Sequence, residues 1–363
     1  MKAITMFRYS ILIVIVASYA AACSNGNART ESLNDEPGIR YLRQDLNYPW
    51  EVLWGKDDNI WITERDGKIS KIDPATGKTL FSTQLTNVVS KNEGGMLGMA
   101  QDPGFAKNGL FYVVYDYRER GDYEEKLVQM KYGNNAIIVV KTLIDDIPAA
   151  GNHNGSRLWI TSEASPKIFM TTGDATVKEN AQNLNSLSGK VLRMNLDGSV
   201  PADNPFPGSP VWSYGHRNQQ GLVVVNGIMY ASEHGPDIED EINIIEKGRN
   251  YGWPDVNGPC DKESEKKFCA AHNVKEPIWS SGSSTVATCG LDYYNDNLIP
   301  AWKGCLIMVM LKDASLKALK LSADGRSILK VDTYFKSKFG RLRDICVAPS
   351  GKVYLCTSNG SNS

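Results

Sequence analysis

Residues 50–73 read W-E-V-L-W-G-K-D-D-N-I-W-I-T-E-R-D-G-K-I-S-K-I-D, and this stretch decides the predicted fold. Ile60, Ile62, Ile69 and Ile72 alternate with polar residues on either side of the turn Arg65-Asp66-Gly67. Alternation with a period of two around a glycine-containing turn is typical of an antiparallel β-hairpin. The stretch therefore predicts two short strands joined by a tight turn.

Similar units recur along the chain, and no long amphipathic helix interrupts them. Five further copies begin near Met96, Lys167, Gln220, Cys305 and Leu342. A short β unit cannot bury both of its faces alone, so a series of such units must stack against one another. The recurrence predicts an all-β fold, a six-bladed β-propeller of four-stranded antiparallel blades. A β-sandwich or two smaller barrels are the alternatives, and the regular recurrence makes them less favoured.

The first 22 residues have the pattern of a signal peptide of the lipoprotein type. Lys2 and Arg8 precede an apolar run too short to span a bilayer, and small residues lead to Cys23. We expect cleavage before Cys23, a flexible tether over residues 23–40 and a catalytic propeller over residues 41–363. The protein would then be exported, either periplasmic or anchored in the outer membrane through lipid on Cys23, with plain secretion as the alternative.

The overall charge excludes one class of partner. Lys and Arg total 40 against 41 Asp and Glu, which gives a net charge of −1. This balance offers no electrostatic basis for binding nucleic acid.

Six cysteines remain after Cys23, and an even number in an exported chain predicts disulfides. We expect Cys260–Cys269 to close a charged loop, Cys346–Cys356 to cross a hairpin, and Cys289–Cys305 to pair by elimination. Zinc binding is the competing interpretation, but the sequence has no Cys-x-x-Cys spacing.

Polar residues and glycines are densest between Trp212 and Pro254, which indicates a ligand site on loops. Arg217 and Asn218 offer a guanidinium beside an amide, which suits the oxygen atoms of a planar polar ligand. The turn Gly235-Pro236 leaves carbonyl groups free, and four carboxylates follow between Asp237 and Glu241. Oxygen ligands of mixed type are what Ca²⁺ accepts. An ordinary surface turn is the alternative for any one of these residues.

Four histidines are candidates for proton transfer or metal binding. His153 lies in G-N-H-N-G-S-R-L just before a predicted strand, where a neutral imidazole suits a general base. His216 and His234 flank the polar region and are candidate site walls or metal ligands, whereas His272 is expected in solvent.

Lys312, Arg341 and Arg343 form a late group of cations. Arg341 and Arg343 share a face of an extended segment, where two guanidiniums repel unless an anion bridges them. A polycarboxylate or phosphate ligand explains them, and ion pairing with Asp344 is the alternative. Because the fingerprints of nucleotide-binding folds, zinc proteases and serine hydrolases are missing, those functions lose their main support.

These stretches together resemble the soluble quinoprotein aldose sugar dehydrogenases of the glucose/sorbosone type. The resemblance runs from about Leu46 to Asn359. Its motifs are E-G-G-M-L-G-M-A from Glu93, G-N-H-N-G-S-R-L from Gly151, T-T-G-D from Thr171, Y-G-H-R-N-Q-Q-G-L from Tyr214, S-E-H-G-P-D-I-E-D-E-I-N from Ser232, N-Y-G-W-P from Asn250, L-K from Leu311 and R-L-R-D from Arg341.

The resemblance implies six-bladed propellers that use pyrroloquinoline quinone and Ca²⁺ to oxidise an aldose at C1 to its lactone. It assigns His153 as the base and Arg217 as the residue that stabilises negative charge. The other implied positions are Asn218, Lys312, Arg341, Arg343 and His234 for the cofactor, and Glu93 and Asn152 for the substrate. For metal they are Gly235 and Pro236 at the cofactor-bound Ca²⁺, and Glu241 and Tyr251 near a second, structural Ca²⁺.

Two departures from the family pattern affect specificity. His234 stands where glucose-oxidising members have glutamine, and Asn152 where they have aspartate. Broader aldose specificity is therefore expected, with an unidentified periplasmic electron acceptor. The alternative function is a non-catalytic propeller that binds glycans or a protein partner.

Overall fold

In the computed structural model, residues 10–15, 38–119 and 121–359 are described. The strands of the first half are β1 (Ser10–Ile15), β2 (Ile39–Leu46), β3 (Pro49–Trp54), β4 (Ile60–Glu64), β5 (Lys68–Ile72), β6 (Thr79–Gln84), β7 (Met96–Gln101), β8 (Leu110–Glu119), β9 (Asp122–Gly133), β10 (Ala136–Pro148), β11 (Gly155–Ile160) and β12 (Lys167–Thr172). Those of the second half are β13 (Lys190–Asn195), β14 (Val211–Tyr214), β15 (Gln219–Val225), β16 (Ile228–Glu233), β17 (Glu241–Ile245), β18 (Trp279–Ser280), β19 (Thr288–Tyr294), β20 (Cys305–Met310), β21 (Leu316–Leu321), β22 (Ile328–Tyr334), β23 (Leu342–Val347) and β24 (Val353–Thr357). Two α-helices, α1 (Phe105–Asn108) and α2 (Glu263–His272), and two 3-10 turns, Lys178–Ala181 and Pro300–Trp302, lie between them.

Antiparallel pairing joins these strands into four-stranded sheets. Five sheets are consecutive: β3–β6, β7–β10, β11–β14, β15–β18 and β19–β22. A further sheet, the closing sheet, has the order β2-β1-β24-β23. The predicted propeller of four-stranded antiparallel blades is confirmed. The count of six stays a prediction, because the closing sheet has four strands only with β1, which lies in the segment predicted to be a signal peptide.

The hairpin at residues 50–73 has the predicted form, with β4 paired to β5 in a register that places Ile60 opposite Ile72. Both of its faces are buried, since each packs on a different neighbour. Ile60 and Ile62 pack with Leu42 and Tyr354 of the closing sheet, whereas Trp61 and Ile69 pack with the sheet β7–β10. Burial of one such side chain contributes about 1.5–3 kcal/mol.

The innermost strand of each sheet lines the central channel. Neighbouring inner strands contact one another in a closed ring, in the order β3, β7, β11, β15, β19 and β23. We call the end where these strands begin the front mouth and the end where they finish the back mouth. Loops that enter the inner strands therefore meet at the front mouth.

Of the predicted disulfides, Cys260–Cys269 is confirmed, and it ties the loop before α2 to that helix. The other two predictions are wrong, because Cys289, Cys305, Cys346 and Cys356 are free and buried. Cys346 lies opposite Tyr354, whereas Cys356 lies opposite Asp344, so the two thiols are diagonal neighbours about 7–8 Å apart along the sheet. Cys305 lies opposite Tyr294, five residues along β19 from Cys289. Neither spacing suits a disulfide, whose β-carbons lie about 3.5–4.5 Å apart.

Among the described residues, none of the helices has the length and apolar character needed to cross a membrane. The predicted cleavage site, Cys23 and most of the tether lie outside the described residues.

Candidate functional site

The predicted site residues collect at the front mouth because most of them immediately precede an inner strand. Glu93 precedes β7, His153 precedes β11, Arg217 and Asn218 precede β15, and Arg341 precedes β23. Glu93 also donates its backbone N–H to the carbonyl of Gly151 at 2.8 Å, which places the two loops side by side.

His153 is oriented by a carboxylate. Its Nδ1 lies 2.8 Å from Oδ1 of Asp174, and its side chain is 20% exposed whereas that of Asp174 is 2% exposed. A carboxylate at Nδ1 favours the tautomer with the proton on that nitrogen, which leaves the lone pair of Nε2 free. The imidazole can therefore accept a proton from a ligand in the channel.

Asp174 in turn connects His153 to the predicted cofactor residues. Its Oδ2 accepts a hydrogen bond of 2.8 Å from Nε1 of Trp253. The guanidinium of Arg217 lies 5.4 Å from the centroid of the Trp253 ring, and its Nη1 donates to the carbonyl of His234. The base, an aromatic ring and a guanidinium thus form one connected wall.

The backbone around His153 explains the motif T-T-G-D. His153 has a positive φ of 63°, and its carbonyl accepts a hydrogen bond from Ala175. A β-carbon at Gly173 would lie 1.8 Å from that carbonyl oxygen, a contact that only glycine avoids. Gly173 therefore lets Asp174 approach the imidazole.

Buried hydrogen bonds fix the positions of Arg217 and Asn218. The N–H of Arg217 donates to Glu233, whose other oxygen lies 3.0 Å from Nδ1 of His216. Oδ1 of Asn218 accepts from the N–H of Gly155 at 3.1 Å. The interpretation of His216 as a site wall or metal ligand is wrong, since it is fully buried and its Nε2 bonds Ser213.

A cluster of guanidiniums faces the same mouth. Burial lowers the pKa of Arg341, and the positive charge of Arg343 lowers it further. Burial and the same neighbour lower the pKa of Arg65 to about 10. Asp344 does not neutralise the cluster, since it pairs with Arg157 at 3.0 Å. Three close cations with Glu93 as the nearby carboxylate keep an excess of positive charge, which favours an anionic ligand.

Among the described residues, several buried nitrogen atoms in this region lack a partner: Nε of Arg65, Nε of Arg217, Nε of Arg341 and Nε2 of His234. Glu93 is a charge neighbour of all four residues, which places it among them. Burial is also the main cause that lowers the pKa of His234. Unpartnered buried donors are costly, so acceptor oxygens of a bound molecule suit this surface.

The four residues predicted to bind metal line one small cavity of about 20 Å³. Gly235, Pro236, Glu241 and Tyr251 share it with Glu233, Glu239 and Asn257. Within the described part of the chain, the Gly235 and Pro236 carbonyls accept no hydrogen bond, and Oδ1 of Asn257 has no partner. Burial, with Glu233 nearby, raises the pKa of Glu241 to about 8. A cavity of roughly one water volume with free oxygen ligands fits a single cation.

The side chain of Asp240 joins two parts of this site. Its Oδ1 accepts the N–H of Gly235 at 2.9 Å, and its Oδ2 accepts the hydroxyl of Thr285 and the N–H of Ala287, both at 2.8 Å. Lys312 is attached to the second loop through its N–H, which donates to Val286. Asp240 therefore sets the position of the carbonyl turn relative to Lys312.

Three predicted residues have a different setting. Asn152 and Lys312 are exposed, unlike the buried residues around His153. The hydroxyl of Tyr251 donates to the carbonyl of Ile244 at 2.6 Å, and its ring stacks on His216, so only its backbone is free for metal.

Sequence reasoning missed Asp174, Trp253 and Arg65, and it placed Asp240 only among the four carboxylates near a possible Ca²⁺. Asp174 and Trp253 lie inside the motifs T-T-G-D and N-Y-G-W-P, so a search of each motif for partners of His153 could have found them. Arg65 lies in the turn of the hairpin at residues 50–73, where a polar residue is expected for the turn itself and needs no ligand to explain it.

A family model described as Glucose / Sorbosone dehydrogenase matches residues 46–363. The chain belongs to this family. It is therefore an oxidoreductase that acts on a sugar CH–OH group.

Two relatives and one solved structure extend the comparison. The chain is 35% identical to quinoprotein glucose dehydrogenase B of Acinetobacter calcoaceticus, covering 97% of this chain and 92% of the relative. It is 28% identical to aldose sugar dehydrogenase YliI of Escherichia coli, covering 89% and 90%. The PQQ-bound aldose sugar dehydrogenase of Streptomyces coelicolor superposes with a TM-score of 0.73 at 26% identity, covering 87% and 96%. The family thus supports pyrroloquinoline quinone, abbreviated PQQ, as cofactor.

Proposed function

We propose that the protein oxidises aldose sugars at C1 to the lactone at the front mouth, using PQQ and Ca²⁺. The observation that carries the proposal is the 2.8 Å contact between His153 Nδ1 and Asp174 Oδ1, on the same wall as Arg217. Oxidation of a sugar CH–OH group removes a proton and a hydride. It therefore needs a base and a positively charged surface at the same channel mouth.

The cations would hold the cofactor. PQQ carries three carboxylates, and Arg65, Arg341, Arg343 and Lys312 supply positive charge for them. The unpartnered Nε atoms of Arg65 and Arg341 are free to donate to such groups. Arg217 and Asn218 would contact the quinone oxygens, and bound PQQ would supply the hydride acceptor.

Ca²⁺ would occupy the cavity beside Gly235 and Pro236. Their carbonyls, together with Glu241 and the backbone of Tyr251, are oxygen ligands of the kind that this ion prefers. The ion held there would supply a Lewis acid to the bound cofactor. Full activity after thorough chelation would exclude this role.

The proton is removed by His153. Because Asp174 holds Nδ1, the free Nε2 accepts the proton of the anomeric hydroxyl, and the carboxylate stabilises the imidazolium that forms. Glu93 and Asn152 would bind the sugar, and His234 and Asn152, which depart from the glucose-oxidising pattern, favour a broad aldose specificity.

The decisive experiment is reconstitution of purified protein with PQQ and Ca²⁺, followed by a dye-reduction screen over aldoses. We expect His153→Ala to lose turnover while it keeps cofactor affinity. The matched control is His272→Ala, because His272 lies on α2 and stacks only on Phe268. Retained turnover in His153→Ala would remove this residue as the base.

The cellular setting is part of the same proposal. The protein would be exported, anchored through lipid on Cys23, and would pass electrons to a periplasmic acceptor. Mass spectrometry of the mature N-terminus tests cleavage and acylation. Six blades would complete the ring, with β23 and β24 in the sixth, because cleavage before Cys23 would remove β1.

A further inference from the structure

One cavity of the described structure lies away from the front mouth. It has a volume of about 410 Å³ and is lined by the later residues of the inner strands. Examples are Leu53 of β3, Ala100 of β7, Ile160 of β11 and Ile345 of β23. These positions place the cavity at the back mouth, and the volume lies within the usual range of about 300–1,000 Å³ for ligand pockets.

A layer of ion pairs separates this cavity from the proposed active site. Arg157 lies 2.6 Å from Glu51 and 3.0 Å from Asp344, and its Nε donates to the carbonyl of Gln220. All three charged side chains are buried, and they form the floor of the cavity. The two mouths are therefore separate compartments.

Two donors of the cavity lining have no partner. Nε2 of Gln101 and Nε1 of Trp54 are both buried and unpartnered, and Gln101 is 7% exposed. The other end of the Gln101 amide is fixed, because its Oε1 accepts the N–H of Lys56 at 2.6 Å. A buried donor without an acceptor costs about 1–3 kcal/mol, which an acceptor on a ligand would offset.

The walls combine aromatic and apolar surface with carboxylates. Trp54 and Trp159 line the cavity beside Leu158 and Leu222, and Glu51 and Asp292 add two acidic side chains to its lining. A sugar offers an apolar C–H face that packs on an aromatic ring, and hydroxyls that both donate and accept hydrogen bonds. A neutral sugar therefore matches the unpartnered donors, the carboxylate acceptors and the tryptophans at once.

We propose that the back mouth is a second, non-catalytic binding site for a neutral sugar. The site lies across the ion-pair floor from His153, so it binds sugar without oxidising it. It goes beyond the proposed oxidation and does not require it.

The test uses the PQQ-loaded protein and methyl α-D-glucopyranoside. The blocked anomeric oxygen of this glycoside prevents oxidation at C1, so binding is measured without turnover. We expect saturable binding by ligand-observed NMR. Gln101→Leu, which removes the donor, and Trp159→Ala, which removes the ring, should raise the Kd about tenfold. Glu93→Gln at the front mouth should leave this Kd unchanged, and Gln101→Leu should leave the rate of aldose oxidation unchanged.

Two results would overturn the proposal. One is the lack of saturable binding by the wild-type protein. The other is a Kd that responds to Glu93→Gln but not to the back-mouth substitutions. Thermal melts establish that each variant is folded, and Gln101→Leu keeps the test decisive if Trp159→Ala unfolds. Aldose oxidation is assayed separately, so failure of the active-site proposal gives a different pattern from failure of this one.

Discussion

Asp174 is the residue on which the chemistry of His153 depends, although it contacts no predicted ligand. Its two oxygens have different partners, Nδ1 of His153 and Nε1 of Trp253, each at 2.8 Å. One carboxylate thereby fixes both the tautomer of the base and the wall beside Arg217.

The first prediction concerns this carboxylate. Asp174→Asn keeps the shape but offers an amide whose orientation can favour the wrong tautomer of His153. We expect kcat for aldose oxidation to fall about 10²–10⁴-fold, with cofactor affinity nearly unchanged. Glu179→Gln, which removes a negative charge at an exposed position of the following loop, serves as a control for a general effect of charge. A kcat close to that of the wild type would contradict the role of Asp174.

The second prediction concerns Arg65. Arg65→Gln removes a cation from the cluster with Arg341 and Arg343. Without PQQ this relieves the repulsion among the guanidiniums, and with PQQ it removes an attraction to the cofactor carboxylates. We expect the Kd for PQQ to rise about tenfold, without a fall in the melting temperature of the cofactor-free protein. Arg326→Gln is the matched control, since Arg326 is 57% exposed and pairs only with Glu246. An unchanged Kd would show that Arg65 does not face the cofactor.

The sequence predicted the site residues that lie in a recognisable motif, and it missed residues whose partners are distant in the chain. His153, Arg217 and Arg343 stand in quoted motifs, and the structure brings them to one mouth. Arg65 is 278 positions from Arg343 in the chain, and only the closure of the ring brings them together. No local sequence pattern indicates that two residues so far apart in the chain are close in the structure.

The turn that begins at Gly235 acts as one element with the loop at residues 285–287. Asp240 accepts hydrogen bonds from both, and it is fully buried. The carbonyls proposed for Ca²⁺ and the lysine proposed for PQQ therefore depend on the same carboxylate.

The third prediction follows from this link. Asp240→Asn replaces an acceptor oxygen by an amide that faces N–H groups, so the two loops should separate. We expect the affinities for PQQ and for Ca²⁺ both to fall about tenfold or more, with partial rescue by Asp240→Glu. Asp237→Asn, at an exposed position of the same turn, is the control. A variant that only lowers the melting temperature, with normal affinities, would reduce Asp240 to a structural role.

Hairpins were predictable at the scale of elements, whereas register was not. The repeat from Leu342 does form β23 and β24, but the pairing places Cys346 opposite Tyr354 and Cys356 opposite Asp344. The hairpin turn that places Val347 opposite Val353 sets this register, and a spacing of cysteines cannot reveal it. The predicted disulfide failed for that reason.

Buried carboxylates connect neighbouring blades across the whole molecule. Asp344 of β23 accepts the N–H of Val52 in β3 at 2.7 Å, and Asp292 of β19 accepts the N–H of Val347 in β23 at 2.7 Å. Burial raises the pKa of Asp292 to about 7. The recurrence of β units predicted the propeller, but it gave no sign of these cross-blade contacts.

The fourth prediction is a pH dependence of stability. Because the folded state raises the pKa of Asp292, it holds a proton that the unfolded chain releases above about pH 4. The contribution of this group therefore falls as the pH rises from about 4 to 7, by up to about 1.4 kcal/mol per pH unit. Asp292→Asn should reduce that slope in urea denaturation of the cofactor-free protein, whereas Asp255→Asn, at an exposed position, should not. Equal slopes in wild type and Asp292→Asn would contradict this account.

The bond between Val52 and Asp344 spans 292 positions, and it has a consequence for biogenesis. The first inner strand, β3, cannot pack on β23, one of its two neighbours, until the ribosome has made almost the whole protein. A chain that threads a secretion pore as it is synthesised would therefore arrive on the far side still open. Assembly of the ring, and loading of its redox group, would then belong to the destination compartment rather than to the cytosol.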